Sequence, residues 1–204
     1  MRVDKVILRA VLSTLAAIVA LFVLLFSALA IIYPSTMMQF TYDLGMDGAS
    51  IHFATRAYER SEEVYYAAFA TEVAIGIEDY AEIDSCGEKL IKDKKFGEYC
   101  QDRDEKIGKS EGSYQKYIYG QVCVAKYQRG KVEKAIARAF ELNGTGFAEN
   151  NPVASLLVAA LVEQDENCVS AIVERLNAFD RSALSESEQT YLDSLIALAE
   201  GGAE

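Results

Sequence analysis

One histidine, His52, and four cysteines, at 86, 100, 123 and 168, are the residues whose types alone point toward chemistry. His52 sits between Ile51 and Phe53, and no nucleophile at a suitable spacing accompanies it, so it reads as a surface or half-packed residue. No C-x-x-C pair occurs, which excludes a zinc ribbon and a thioredoxin-type motif on spacing. Cys86 and Cys100 form the natural local disulfide pair if their domain lies outside the cytoplasm. Such a bridge closes a loop of about 15 residues and contributes about 3 kcal/mol in the chain-entropy view. The alternative is four thiols, with Cys123 and Cys168, on apolar stretches, as small core residues. Asp and Glu number 31, so carboxylate pairs are inevitable, and nothing singles out a pair placed for hydrolysis. No G-x-x-x-x-G-K-S/T run cradles a phosphate. Asp43-x-Gly45-x-Asp47-Gly48 has the spacing of a calcium loop, but Ala54 stands where the bidentate Glu is needed, and the run reads as a turn. The expectation is therefore no catalytic, cofactor or metal-binding residue, and no enzyme.

The elements that would position any site begin with an apolar segment. Ala10 to Ile32 is 23 residues long and carries no charge, and as a helix it measures roughly 35 Å, enough for a bilayer core of about 30 Å. Every face of it is apolar, unlike a water-soluble helix. A cleaved signal peptide is the rival, with Ala28-Leu29-Ala30 as its small-x-small site, but the run exceeds the ~7–15 residues of a signal core. Residues 1–9 hold Arg2, Lys5 and Arg9, and no Lys or Arg follows the span until Arg56. This asymmetry predicts a cytoplasmic N-terminus, a transmembrane helix over 10–32 and an extracytoplasmic domain. Ser13 with Ala17, and Ala16 with Ala20, offer small-residue contacts through which the helix could form a homo-oligomer.

Residues 33–48 are expected to be a linker, since Pro34 disfavours continuation of the helix. Residues 49–204 then form an acidic, all-helical domain. Of the net charge of −11, residues 1–32 contribute +2 and the rest carries −13, which disfavours nucleic acid and anionic headgroups and leaves a basic protein as the fitting partner. Period-3.6 apolar stripes place helices around Ile51–Tyr58, Tyr65–Tyr80, Ile83–Leu90, Tyr114–Ala125, Val132–Phe140, Leu156–Leu161 and Val169–Phe179. A last helix opens with the capping box Ser185-x-x-Glu188 and stops at Gly201-Gly202. Asn143-Gly144-Thr145 is formally a glycosylation acceptor and reads as a helix stop. Residues 93–111, dense in mixed charge, read as a solvated insertion and as a candidate partner-contact loop.

Turns between paired helices fall near residues 78, 130 and 165. The last two are 35 apart, and the first two are 33 apart once the 19-residue insertion is set aside. The second helices are alike, Lys134-Ala135-Ile136 beside Ser170-Ala171-Ile172, with Phe140 and Leu176 in the matching large position. On this spacing the region of about residues 60–180 resembles the tetratricopeptide family of helical hairpin repeats. Cys123 and Tyr127 lie near that family's small and aromatic first-helix positions and Ala135 fits its second-helix alanine. Pro152 falls about five residues late, and Ile83 stands where alanine is expected. The resemblance implies hairpins stacked as a short array that holds a protein or peptide partner; an irregular bundle is the alternative. The function expected is a membrane-anchored scaffold. An accessory subunit of a larger membrane complex is the alternative, followed by an extracytoplasmic enzyme with an acidic site.

Overall fold

The computed structural model describes residues 2–201, with side chains from Ile7 onward. The side chains of Arg2 and Lys5, used above for orientation, and Gly202 of the expected terminal stop lie outside the described residues. The described residues form eleven α-helices and no strand, in two compact units that divide between Glu63 and Val64.

In the first unit, α1 (Arg2–Ile32) contains a stretch, Ile7–Ile32, that is long and apolar enough to cross a membrane, with none of it buried. Residues 33–48 are not a linker. Pro34 opens a second helix, α2 (Pro34–Asp43), because its fixed φ and missing N–H suit the first helical position. Met37, Met38 and Thr41 of α2 are buried, as are Ile51, Ala54 and Ala57 of the helix it packs against, α3 (Asp47–Ser61). Small residues at 54 and 57 let the two helices approach closely. Between them Gly45 takes φ 70°, its N–H donating to the Tyr42 carbonyl and that of Met46 to Thr41, a Schellman stop. Only Leu44–Met46 of the Asp-Gly run is a turn, for Asp43 ends α2 and Asp47-Gly48 opens α3.

The second unit is built from three hairpins: α4 (Val64–Gly76) with α5 (Tyr80–Lys92), α7 (Ser113–Gln128) with α8 (Val132–Asn143), and α9 (Pro152–Val162) with α10 (Glu166–Asn177). All three turn in the same way. Glu78, Gly130 and Gln164 adopt positive φ, and the next amide donates to the carbonyl five residues back: Asp79 to Ala74, Lys131 to Lys126, Asp165 to Ala160. Asp79 and Asp165 then cap the second helix with their carboxylates. The third pairing is closed by α11 (Glu186–Gly201), whose capping box forms in full. Ser185 Oγ accepts from the Glu188 amide, and the Glu188 carboxylate accepts from the Ser185 amide.

The insertion differs from expectation. Its charges sit on a helix, α6 (Phe96–Ile107), whose Phe96, Cys100 and Asp104 recur every four residues and are buried against α7, α4 and α5. A period-3.6 stripe was present in this segment, hidden by its flanking charges.

α7 is the hub, touching α5, α6, α8 and α9, and its Ile118, Val122, Cys123 and Ala125 are fully buried. Each large side chain so buried contributes ~1.5–3 kcal/mol. Two glycines permit the stacking. A Cβ on Gly87 of α5 would overlap Val122 Cγ2, and one on Gly120 of α7 would stand 2.5 Å from Ser155 Oγ of α9. Val122 is β-branched and has little rotamer freedom with which to yield. Gly87→Ala is expected to destabilise the protein by ~1–3 kcal/mol through overpacking, read as a lowered melting temperature of the full chain in detergent. Val122→Ala in the same chain should recover part of the loss, whereas two additive losses would show that the two residues do not meet.

Candidate functional site

The residues that drew attention in the sequence are dispersed. His52 lies exposed on α3, its ring 5.5 Å from that of Phe53. The four cysteines are buried thiols, and the Cys86–Cys100 bridge is not formed. Cys86 Sγ faces the Glu82 carboxylate of its own helix at 3.6 Å, while Cys100 belongs to the inward stripe of α6. Burial pushes the Cys100 and Cys123 thiols up to about 12 and Cys168 to about 11, so these three stay protonated and unreactive at neutral pH. Among the described residues no group of three or more His, Cys, Asp or Glu side chains is gathered for a metal.

The acids that do converge are held by cations. Asp84 and Glu88, one turn apart on α5, face α7 and α8. Asp84 accepts from Lys126, from Arg129 at 2.5 Å and from Lys131 at 2.7 Å. Glu88 receives Arg138 through two hydrogen bonds of 2.9 and 3.0 Å, with Lys126 at 3.2 Å. Burial opposes ionisation of both carboxyls. The bonds and charges of Lys126 and Lys131 on Asp84, and of Lys126 and Arg138 on Glu88, outweigh it and hold both below the ordinary carboxylate range. An acid kept ionised in this way cannot donate a proton at neutral pH. The cluster fastens the first hairpin to the second.

One concavity, of about 660 Å³, is bounded by Leu161 of α9, by Val169 and Val173 of α10 and by Ala199 of α11; another runs along α7 on the side of the first helices of the hairpins. One part, of about 320 Å³, is bounded by Glu72 of α4, by Arg103 and Ile107 of α6, and by Tyr114 and Tyr117 of α7. It shares Lys109, Ser113 and Tyr117 with a second part, of about 640 Å³, that continues past Gln121 to Ser155 of α9. Its floor is fixed by a tight set of contacts. The Glu72 carboxylate accepts from Tyr114 Oη at 2.7 Å and pairs with Arg103 at 2.6 Å, and the Arg103 guanidinium lies 4.8 Å from the centre of the Tyr114 ring. Burial, and then the Glu72 carboxylate, raise the Tyr114 phenol, which stays a donor. Asp104, 1% exposed, caps α7 from α6 by accepting the Tyr114 amide at 2.9 Å. With both walls held in this way, Tyr117 (46% exposed) and Ile107 (53%) present apolar surface at the lip. Val158 and Val162 of α9, one and two turns beyond Ser155, are also exposed.

The groove contains none of the residues first singled out for chemistry. Its α6 wall comes from the segment read as a partner-contact loop; its other residues lie on three separate helices, and no local signal joins them. Comparison with family models, curated proteins and solved structures returns no match.

Removing Asp84 leaves Lys126, whose side chain is 14% exposed, without its closest counter-charge. Asp84→Ala is expected to cost about 3 kcal/mol, the low end for breaking a buried pair because Arg129 and Lys131 reach solvent. A depressed carboxyl contributes stability that is complete above its unfolded pKa and fades as pH falls through the folded one. Wild-type melting temperature should therefore drop below about pH 4, and Asp84→Ala should flatten that drop. An unchanged acid limb in the variant would remove the cluster from the stability account.

Proposed function

We propose that this protein is a membrane-anchored helical scaffold that holds a protein or peptide segment in the groove along α7. The observation that carries this is the groove itself, with a firm floor and an apolar lip. Exposed tyrosine beside aliphatic side chains is the composition from which binding hot spots are made. The tetratricopeptide-like spacing supports the reading, because stacked hairpins of that kind present their first helices to a partner. α1 supports anchoring by its length and apolarity, and the basic flank supports a cytoplasmic N-terminus with the domain outside. Groove cations and anions nearly balance, with Arg103, Lys109 and Lys116 against Glu72 and Glu149. Preference for a basic partner would then come from the acidic surface beyond the groove.

A second reading is an accessory subunit that assembles through α1, favoured by the outward-facing Ser13, Ala16, Ala17 and Ala20. Scrambling residues 10–32 at constant hydrophobicity separates the two, because a scaffold keeps its partner and a subunit loses its complex.

A photo-crosslinking residue at Tyr117 or at Gln121 of the full chain in its membrane should give adducts of one and the same mass, and the same group at Lys134, exposed on α8, should give none. Ile107→Asp should weaken the Tyr117 adduct on the order of tenfold, the loss of about 1.4 kcal/mol. Adducts equal at all three positions would dismiss the groove as the binding face.

A further inference from the structure

Phe40 of α2 packs edge-on against Phe26 of α1, ring centres 6.4 Å apart. Phe26 lies six residues before the end of α1, about 9 Å back along its axis. The chain therefore turns at Tyr33-Pro34 and sets Phe40 against the side of α1. We propose that α2 and the turn after it form a second membrane contact, an interfacial helix that lies in the lipid boundary beside the span. This rests on the reading of α1 as membrane-inserted, and it holds for either orientation of the chain.

Depth gives the first argument. A hydrocarbon core of about 30 Å takes about 20 residues of helix. With Arg9 kept at the opposite surface, a core counted from Ala10 ends near Leu29, beyond Phe26. Phe40, in contact with Phe26, is thereby carried below the headgroups. Charge gives the second. From Ala10 through Tyr42 no side chain is charged, although α1 ends at Ile32, so the charge-free stretch takes in nearly all of α2. Asp43 is the first charge, and its carboxylate accepts from Gln39 at 2.8 Å. Phe40 and Leu44, one turn apart, are 49% and 59% exposed, and Met46 in the turn is 51% exposed. Their surface continues the lipid-facing surface of α1.

Arg60 marks the level of the headgroups. Its guanidinium donates to the Ile31 and Ile32 carbonyls at 3.1 and 2.8 Å, satisfying two orphan acceptors at the end of α1. A cation there suits both the helix dipole and lipid phosphate. Arg56 stands in the same shallow groove, over Ala30, Ile31 and Pro34. The first unit thus grades from arginines at the surface to phenylalanines beneath it, the order of an interfacial element.

The chain has no tryptophan, so single substitutions report depth without background. The full chain, as Phe22→Trp, Phe40→Trp, Leu44→Trp or Tyr117→Trp, is reconstituted in phosphatidylcholine vesicles whose acyl chains carry bromine at a shallow or a deep carbon. Phe22→Trp, within α1, should be quenched most by the deep bromine. Phe40→Trp and Leu44→Trp should be quenched by the shallow bromine and shielded from aqueous iodide, and Tyr117→Trp should show the reverse. If Phe22→Trp is quenched while Phe40→Trp and Leu44→Trp behave like Tyr117→Trp, the interfacial helix is overturned and the anchor stands. If Phe22→Trp also escapes quenching, the anchor itself falls, and the interfacial helix with it.

Discussion

The stacking of the second unit depends on two places where a hydrogen stands instead of a side chain. Gly87 admits Val122 and Gly120 admits Ser155, so α7 comes close to α5 on one side and α9 on the other. A single hairpin of two helices of this length cannot cover its own apolar stripe. Only because α7 approaches both neighbours do Ile118, Val122, Cys123 and Leu157 lose their contact with water. The ion cluster on Asp84 and Glu88 follows from the same approach, for it spans α5 to α7 and α8 and would have no geometry without it. The groove is the outer side of this packing.

Legibility in the sequence followed the range of the interaction. Helices with a strong stripe and a local signal were readable: the Ser185-x-x-Glu188 box and the breaks at Gly130 and Asp79 are each set by neighbours a few residues away. α2 and α6 were not read, for opposite reasons. α2 follows an apolar span directly and carries no charge before Asp43, so nothing in the sequence separates it from that span. α6 is so charged that its Phe96–Cys100–Asp104 stripe is overlooked, and one of the three buried positions is an acid. Asp104 is buried because it caps α7, a role that depends on a partner ten residues away. The Asp84–Lys126 and Glu72–Tyr114 contacts join residues 42 apart, and the groove is a property of four helices at once. Nothing in local spacing announces it.

Burial and pairing occupy most of the side chains that stand out by type. Three of the four cysteines have thiols raised by burial, and the converging acids are pinned ionised by cations. The charged groups that lie inside the fold are used for fastening: hairpin to hairpin through Asp84 and Glu88, helix to helix through Asp104, and groove floor through Arg103. What faces solvent in the concavity is tyrosine, aliphatic side chains, amide or hydroxyl groups and the exposed charges of Lys109 and Glu149, suited to contact area and adaptable hydrogen bonds.

The bond between Glu188 and the loop before α9 has a meaning in time as well as in space. One oxygen of Glu188 accepts the Phe147 amide at 3.0 Å, while the other accepts the Ser185 amide. Phe147 is fully buried, its ring 4.7 Å from that of Phe179, and the residue that ties down its backbone is 41 positions later. On the ribosome α1, α2 and α3 emerge before the second unit, and α2 packs on α3 within the first. The last hairpin has to wait, its loop unpinned until the final helix is released. The second unit therefore matures along the chain, and its last hairpin closes only once α11 has emerged.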